Sequence, residues 1–435
     1  MAGRKRGKVS FGTVFMLLMT VFVLGASGYV LLRLSSGRPA DLSSLSRKVL
    51  SLGGEPAGDS SAATGESTEA GQTAASVPGA ASSGQKAAEP APAPRSSGGV
   101  VTMTFGGTIA LEENIRKSAY MNDSQKYDFT DIFPLLAPEV TADFSGVFLE
   151  NLLLDDAKVS ATVVPACAGD LLRDAGFNFA MTGFLKAWDK GGDGVRKTMG
   201  ALRDRGITPL GLLESASAPR YVIREADGVK VAMMQYTDGL TARALKNMEK
   251  MSEDWMIPPA DPEIIAADIA AARQEGAQAV VVLLNWGKVG GKNPEKSQLT
   301  LAQQIADSGA DMIIGAGSRT PQRAEFIKTA DGRQTLVAYS LGTLLSDNRS
   351  GPSRIGGYLL HVTIRVGEDG TVSFAKTAYT PTYAWRYRQD GKYYYRVLAA
   401  DRAAPDGMDS DQSRTMQKTM TAVQNVLEGT PLTLR

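Results

Sequence analysis

The chain has 435 residues, of which 43% are hydrophobic and 21% are charged, and this balance excludes both a wholly disordered chain and a multi-pass membrane protein. Four of its 47 basic residues lie among the first eight positions, which leaves 43 against 46 acidic residues and no basic field for nucleic acid. The single cysteine excludes an intrachain disulfide, and the single histidine excludes metal centres that need several imidazoles.

The first 34 residues have the pattern of a membrane-targeting segment. Residues 1–10 are basic, and the following 22 residues contain no charged side chain. Such a run can cross a hydrocarbon core of about 30 Å as a helix, and the preceding positive charge predicts a cytoplasmic N-terminus. We therefore predict a cytoplasmic tail over 1–10, one transmembrane signal-anchor helix over 11–34, and an extracytoplasmic remainder at the cell membrane. The alternative is a signal peptide cleaved near Ala26-Ser27-Gly28, although its apolar core is normally only ~7–15 residues long.

Residues 35–98 are predicted to form a disordered, low-complexity linker. From position 53 onward this segment consists mainly of Gly, Ser, Ala, Pro, Thr and Glu, and Val77 is its only large aliphatic side chain. Such a composition cannot bury enough apolar surface to offset the entropy of ordering the chain. The linker would hold a folded domain away from the membrane surface.

From residue 99 onward, short apolar runs alternate with helical patterns, which predicts an α/β domain. Consecutive strands near the end predict antiparallel additions to its sheet. Asp261 followed by Pro262 is a typical helix start. The predicted strands are residues 100–105, 147–149, 177–181, 207–210, 229–236, 279–284, 312–314, 324–328, 334–339, 358–366 and 371–379, and the predicted helices are 166–175, 194–204, 261–275 and 294–308.

The C-terminal segment, residues 384–435, is predicted to form a hairpin followed by an amphipathic helix. The hairpin pairs residues 383–388 with 392–398 around an Asp-Gly turn. The helix spans 409–428 and places a stripe of Met, Val and Leu on one face. Arginines lie among aromatic residues at 385–388 and 393–396, and such clusters can also bind sugars, polyanions or a partner protein.

Several sequence blocks, read in order, resemble the CapA family, which is linked to the synthesis of poly-gamma-glutamate capsules. They include residues 194–211, Asn285-Trp286-Gly287 and Tyr339-Ser340-Leu341-Gly342. The resemblance covers residues 99–383 and implies a metallophosphatase-like β-sandwich flanked by helices. It also implies a role in the biosynthesis of a capsule or of another cell-envelope polymer.

The chain departs from the family's pattern at the positions where metal ligands are expected. Each departure replaces a His or Asp by a residue that ligates metals poorly or not at all. The replacements are Gly106-Gly107 for Gly-Asp, Met181-Thr182-Gly183 for Asn-Asn-His, Asn285-Trp286-Gly287 for His-Trp-Gly, and Gly315-Ala316-Gly317-Ser318-Arg319 for Gly-x-His-x-His.

Without these ligands, the domain is predicted to be a pseudoenzyme that acts by binding, with no metal, no cofactor and no assigned catalytic residue. His361 lies in the middle of a predicted strand and Cys167 in an apolar context, so both are predicted to be packing residues. The alternative is an active hydrolase or transferase with a rebuilt, His-free site. A carboxylate-only Mg²⁺ or Ca²⁺ site could then draw on Asp143, Glu150, Asp155, Asp156 and Asp189.

Loops that follow the strands of such a fold meet at one edge of the sheet, which predicts a concave binding site there. Open backbone N–H groups at glycines and a single charge on Arg319 would favour an anionic ligand. We expect the partners to be the membrane, through the N-terminal helix, and an anionic envelope polymer or capsule-synthesis proteins, with no nucleic acid. The predicted ligand-binding residues are Gly106, Gly107, Thr182, Asn285, Trp286, Ser318 and Arg319.

Overall fold

A computed structural model describes residues 98–435 of the chain. Its first half alternates strands and helices, and its second half consists mostly of strands. The helices are α1 (Glu113–Ala119), α2 (Ala168–Asp174), α3 (Gly191–Arg203), α4 (Ala242–Lys250), α5 (Pro262–Gln274), α6 (Lys296–Asp307), α7 (Pro352–Ile355) and α8 (Ser410–Leu427). The strands are β1 (Gly99–Ile109), β2 (Tyr120–Met121), β3 (Lys126–Tyr127), β4 (Phe144–Leu149), β5 (Leu152–Leu153), β6 (Val163–Val164), β7 (Phe179–Met181), β8 (Thr208–Leu210), β9 (Tyr221–Ala226), β10 (Val229–Thr237), β11 (Ala279–Trp286), β12 (Met312–Gly317), β13 (Ala324–Lys328), β14 (Gln334–Ala338), β15 (Thr343–Leu345), β16 (Tyr358–Val366), β17 (Val372–Gln389), β18 (Lys392–Ala399) and β19 (Thr433–Leu434).

The first large sheet is built around β1, whose side chains are apolar or small and almost all buried. Its strand order is β18-β17-β16-β1-β4-β7-β8, with β15 paired to β1 and β19 paired to β17. β1, β4, β7 and β8 run parallel, whereas β16, β17 and β18 add in antiparallel fashion. The sheet therefore gains antiparallel strands from the end of the chain, as predicted.

The second large sheet has the order β13-β14-β12-β11-β10-β9. Its central strands β10, β11, β12 and β14 are parallel, and an antiparallel strand closes each edge. β11 is buried along its whole length, which explains its continuous run of Val and Leu.

The main apolar core lies between the two sheets. Val101 and Met103 enter it from the first sheet, and Val231 and Ile314 enter it from the second. Residues of α2 pack on the outer face of the first sheet, and residues of α5 and α6 pack on the outer face of the second. This layered arrangement confirms the predicted α/β class.

Helix starts follow the capping pattern of the sequence. The Asp261 side chain accepts hydrogen bonds from the backbone N–H groups of Glu263 and Ile264, and Pro262 occupies the first turn of α5. Asp409 and Gln412 form a reciprocal capping box at the start of α8. Both helices are thereby fixed at their first turn; the sequence predicts the cap of α5, whereas for α8 it predicts only the start at Asp409.

The structure has a hairpin between β17 and β18. Asp390 and Gly391 both have positive φ angles, 50° and 77°, which is the geometry of a two-residue primed turn. β17 runs from residue 372 to 389, so the hairpin is a continuation of the first sheet rather than a separate element.

Several elements were not expected from the sequence, among them α4 and β9. Helix α4 buries only Met248, and the edge strand β9 is largely polar on its exposed side. Within residues 98–435, no helix is long and apolar enough to cross a membrane. The predicted tail, anchor helix and nearly all of the predicted linker lie outside the described residues.

Candidate functional site

A pocket of about 330 Å³ lies where the C-terminal ends of parallel strands from both sheets come together. Ala110 and Glu112 follow β1, and Glu150 follows β4. Asp238 follows β10, and β11 and β12 end at the pocket wall. The predicted position of the site, at the loops that follow strands, therefore coincides with a real concavity.

Arg319 is the centre of the pocket's polar network. Its Nε donates a hydrogen bond to Glu150 Oε2 at 2.9 Å, and its Nη2 donates to the same oxygen. Its Nη1 donates to Glu112 Oε1 at 3.2 Å. One guanidinium group therefore bridges two carboxylates that follow two neighbouring strands of the first sheet.

The backbone and burial of Arg319 fit this bridging role. Its φ angle is 53°, an uncommon left-handed conformation for a residue with a side chain, and its carbonyl accepts a hydrogen bond from the Thr343 hydroxyl. The Arg319 side chain is 26% exposed and that of Glu150 is 12% exposed. Burial opposes the charge on Arg319, but Glu150 and Glu112 outweigh this effect and place the pKa of the guanidinium above its ordinary value.

The prediction that Arg319 is the single charge of the pocket is therefore wrong. Glu112, Glu150 and Asp238 bring three carboxylates to the lining, and Lys186 is its second cation. Both edges of the Arg319 fork are already occupied by protein carboxylates. An anionic ligand would have to displace Glu112 or Glu150, so the pocket does not favour anions by charge.

Asn285 and Trp286 border the same pocket but differ in how they are held. Trp286 is buried, donates from Nε1 to the Tyr339 carbonyl at 2.8 Å and stacks on the Tyr339 ring. Its indole is therefore mainly a core group with one edge at the pocket. The Asn285 side-chain amide makes no hydrogen bond to another group among residues 98–435, which leaves it for a ligand or for solvent.

The other four predicted residues do not line this pocket. Gly106 and Gly107 lie inside β1 rather than in a turn after it. Position 107 requires glycine, because a Cβ atom added there would lie 2.4 Å from the Gly342 carbonyl oxygen. The Thr182 hydroxyl donates to the Leu210 carbonyl. The Ser318 hydroxyl donates to the Thr320 carbonyl and contacts Ser340. These residues hold strands and loops together, so the predicted anion cradle at the glycine pair does not exist.

Two features of the pocket were not predicted from the sequence: the pairing of Glu112 with Arg319, and an apolar rim. Leu185 and Val289 are 43% and 54% exposed, respectively, and both border the pocket. Glu112 and Glu150 each follow the end of a buried strand, and this position is the one signal that could have marked them.

The residues present do not fit a two-metal centre. Among residues 98–435, no three His, Cys, Asp or Glu side chains come together in a way that could hold a metal ion. Asp143 accepts hydrogen bonds from Thr102, Asp155 accepts one from the Ala166 backbone, and Asp156 pairs with Lys197, so the scattered acids have separate structural partners. The two carboxylates that do meet in the pocket are bridged by Arg319.

The single histidine lies away from the pocket, in the sheet. His361 Nδ1 lies 3.3 Å from Arg435 Nη1, a donor, so the proton resides on Nε2, which faces the Thr380 hydroxyl at 2.9 Å. Burial, with help from Arg435 and Lys376, lowers the pKa of His361 to about 3. Cys167 is partly buried at the start of α2, and burial raises the pKa of its thiol. Neither side chain is placed to act in the pocket.

The sequence of the chain is similar to one protein family and to two characterised capsule proteins. The family described as "Bacterial capsule synthesis protein PGA_cap" matches residues 102–348. The capsule biosynthesis protein CapA of Bacillus anthracis is 26% identical over 264 residues, which are 57% of this chain and 60% of that protein. The PGA biosynthesis protein CapA of Bacillus subtilis strain 168 is 31% identical over 181 residues, which are 41% of this chain and 44% of that protein. The chain thus covers less than two thirds of the length of both relatives.

Solved structures give weaker similarities. The NAD nucleotidase of Haemophilus influenzae has a TM-score of 0.43 at 12% identity, covering 78% of this chain and 58% of that chain. The calcineurin-like phosphoesterase YfkN of Bacillus subtilis has a TM-score of 0.39 at 14% identity, covering 76% of this chain and 99% of that chain.

The family match extends over more than half of the chain. It runs from β1 through the loop after β15 and includes every pocket residue named above. The resemblance seen in the sequence is thereby confirmed, and the chain belongs to the bacterial capsule synthesis protein family PGA_cap.

Proposed function

We propose that this protein is a membrane-anchored, extracytoplasmic accessory of capsule or other envelope-polymer biosynthesis, and that its folded domain acts by binding rather than by metal-dependent hydrolysis. Family membership supports the link to capsule synthesis. The Bacillus subtilis relative is named a PGA biosynthesis protein, which supports poly-gamma-glutamate, or a polymer of similar charge, as the ligand. The basic start and uncharged run of the sequence support the anchor and the cell-membrane location.

The observation that carries the binding role is the Arg319 bridge. In a dimetal hydrolase, carboxylates at the ends of the strands would hold cations about 3.5–4 Å apart. Here Glu112 and Glu150 instead share a guanidinium group supplied by the chain itself. A fixed internal cation neutralises the carboxylates but has no open coordination position for water or substrate. The arrangement therefore preserves the shape of the strand ends without the chemistry of a metal.

A second candidate is an active hydrolase with a rebuilt, His-free site on a metallophosphatase-like domain. The observation in its favour is that Asn285 and Asp238 border the pocket while neither is engaged by Arg319. Metal content separates the two candidates. The purified full chain, dialysed after loading with Mn²⁺ or Zn²⁺, should retain no stoichiometric metal and should not hydrolyse aryl phosphates. One or two retained equivalents per chain, with metal-dependent turnover, would establish the hydrolase instead.

The proposed topology has its own test. Protease added to intact protoplasts should degrade the folded domain and leave a short membrane-embedded fragment that contains residues 11–34. Release of the undigested domain into the medium would indicate a cleaved signal peptide. Complete protection of the domain would contradict an extracytoplasmic location.

A further inference from the structure

We infer that the tip of the β17–β18 hairpin, residues 386–396, is the surface that binds the anionic polymer, in place of the pocket at the strand ends. This inference rests on the proposed function, because it takes a carboxylate-bearing chain as the ligand. The pocket itself has more acidic than basic side chains, so the charge that would attract such a chain must lie elsewhere. The hairpin tip contains four cations with tyrosines between them.

Charge is the first observation. The tip contains Arg386, Arg388, Lys392 and Arg396 and only one acidic residue, Asp390 in the turn. Arg386 is paired with Asp347 at 2.9 Å. The other three cations have no ion pair within the described part of the chain, in contrast to Arg319. The tip therefore presents positive charge that the fold does not neutralise.

The second observation is that tyrosine rings organise these cations. The guanidinium groups of Arg386 and Arg388 lie 4.4 Å and 6.0 Å from the Tyr393 ring centre. On the other face of the hairpin, the Arg396 guanidinium lies 6.0 Å from the centre of the Tyr387 ring, and the Lys392 ammonium lies 5.7 Å from the centre of the Tyr394 ring. A cation held over an aromatic face keeps its outward N–H groups available for an acceptor.

On the face that holds Lys392 and Arg396, three aromatic rings form a continuous support. Tyr387 and Tyr394 are stacked with their centres 5.7 Å apart, and Trp385 lies 4.6 Å from Tyr387. Tyr393, on the face of Arg386 and Arg388, is 39% exposed. Rigid rings reduce the entropy lost when the arginines become ordered on a ligand.

Strand geometry suits an extended polyanion. Arg386 and Arg388 are two residues apart on one strand, so they project from the same face about 7 Å apart. Tyr393 lies directly across from Arg388 in the antiparallel pairing. Lys392 and Arg396 lie directly across from Gln389 and Trp385, and therefore on the other face of the hairpin. A carboxylate-bearing chain that passes around the tip can accept hydrogen bonds from Arg388 on one face and from Lys392 and Arg396 on the other, which gives several weak contacts that act together.

The test compares two triple variants of the full chain with equal changes in net charge. The hairpin variant is Arg388→Gln/Lys392→Gln/Arg396→Gln. The control is Arg243→Gln/Lys246→Gln/Lys250→Gln on α4, whose three cations are exposed and distant in sequence from the hairpin. Binding of poly-gamma-glutamate of defined length is measured by calorimetry at low and moderate salt, with polyphosphate of matched charge as a second probe.

We expect the hairpin variant to bind poly-gamma-glutamate roughly tenfold or more weakly, because three partly exposed ion pairs are lost. The α4 control should remain within about twofold of wild type, and the salt dependence of binding should decrease only in the hairpin variant. Equal weakening in both variants would show nonspecific attraction and overturn the inference.

Three further outcomes test the inference and the proposed function separately. If wild type binds the polymer and the hairpin variant binds equally well, the hairpin assignment fails while polymer binding stands. If wild type does not bind poly-gamma-glutamate at all, the proposed ligand fails and the inference fails with it. If polyphosphate binds as tightly and loses as much in the hairpin variant, the surface recognises charge alone, and its assignment to a carboxylate polymer is overturned.

Discussion

The pocket at the strand ends and the hairpin tip both contain arginine, but the two regions differ in whether a carboxylate of the protein neutralises its charge. Arg319 is partly buried and bridges Glu112 and Glu150. Arg388 is exposed, has no carboxylate partner among residues 98–435 and lies over a tyrosine ring. A charge that is neutralised inside the fold contributes to stability, whereas a charge left on the surface is available for a partner. Substitutions in the two regions should therefore affect different measurements.

The largest expected effect is in the pocket. Arg319→Ala leaves two partly buried carboxylates beside each other without a counter-charge and should lower the free energy of unfolding by about 3 kcal/mol. Arg319→Lys should recover only part of this, because an ammonium group cannot bridge both carboxylates with a fork. The measurement is urea unfolding at constant pH.

The matched control for this prediction is Arg414→Ala, which breaks an exposed pair with Asp411 on α8. We expect that change to cost less than about 1 kcal/mol. Ca²⁺ or Mn²⁺ should restore part of the stability of Arg319→Ala and none of that of Arg319→Ala/Glu150→Gln. If Arg319→Ala and Arg414→Ala have equal effects, the bridge is a surface contact and the comparison between the two regions fails.

The next effect concerns the histidine, a second titratable group that the fold keeps inside. The folded pKa of His361 is lowered to about 3 from an ordinary 6.5, so the unfolded chain binds the extra proton first as the pH falls. This contribution to stability is complete above pH 6.5 and is lost progressively below it. At pH 5 the loss should be about 2 kcal/mol. The measurement is the difference in the free energy of unfolding between pH 7.5 and pH 5 for wild type and for His361→Gln.

The glutamine variant serves as its own reference, because it has no group that titrates at this position. Between pH 7.5 and pH 5, the free energy of unfolding of His361→Gln should fall by about 2 kcal/mol less than that of wild type. Parallel curves would mean that the imidazole is accessible to protons in the folded state.

The sequence predicted the fold well because the signals that define it are local. Apolar runs marked the strands of both sheets, Asp261 and Pro262 marked a helix start, and Asp390-Gly391 marked the hairpin turn. Elements such as α4 and β9 were missed because they bury few side chains, so no long apolar run marks them in the sequence.

The site was less predictable because its contacts are not local. The partners of Arg319 lie 169 and 207 positions away in the chain, so no pattern near Arg319 shows that its charge is already paired. The glycine pair in β1 had two physical explanations, an open turn or a close approach of another backbone, and only the position of the Gly342 carbonyl decides between them. Asn285, Trp286 and Arg319 were placed correctly at the strand ends because the order of strands fixes that edge.

A smaller effect is expected at Asp347, which connects the two regions. Its backbone N–H donates to Glu112 in the pocket, and its carboxylate accepts from Arg386 and Tyr395 of the hairpin. Burial opposes ionisation of this carboxyl, but the hydrogen bonds from Tyr395, Asn114 and Arg386 hold its pKa below the ordinary value. Asp347→Asn should cost about 1.5 kcal/mol of stability by thermal or urea unfolding. It should not weaken poly-gamma-glutamate binding, since it frees Arg386; weakened binding would mean that Asp347 positions the hairpin for its ligand.

The smallest expected effect on stability is at Arg388, where the comparison between the two regions is sharpest. Its Nε donates to the Gly391 carbonyl at 3.3 Å, and its guanidinium lies 6.0 Å from the Tyr393 ring, but no carboxylate of the described residues pairs with it. Arg388→Gln keeps a polar side chain and leaves no buried group unpaired, so the free energy of unfolding should change by less than about 0.5 kcal/mol. The same substitution should weaken poly-gamma-glutamate binding by roughly two- to fivefold, because one exposed ion pair is removed. Arg319→Lys is the informative counterpart, since it should lose stability with little change in polymer binding. A stability loss above about 1 kcal/mol in Arg388→Gln would show that the cation holds the hairpin together, in which case its charge belongs to the fold like that of Arg319.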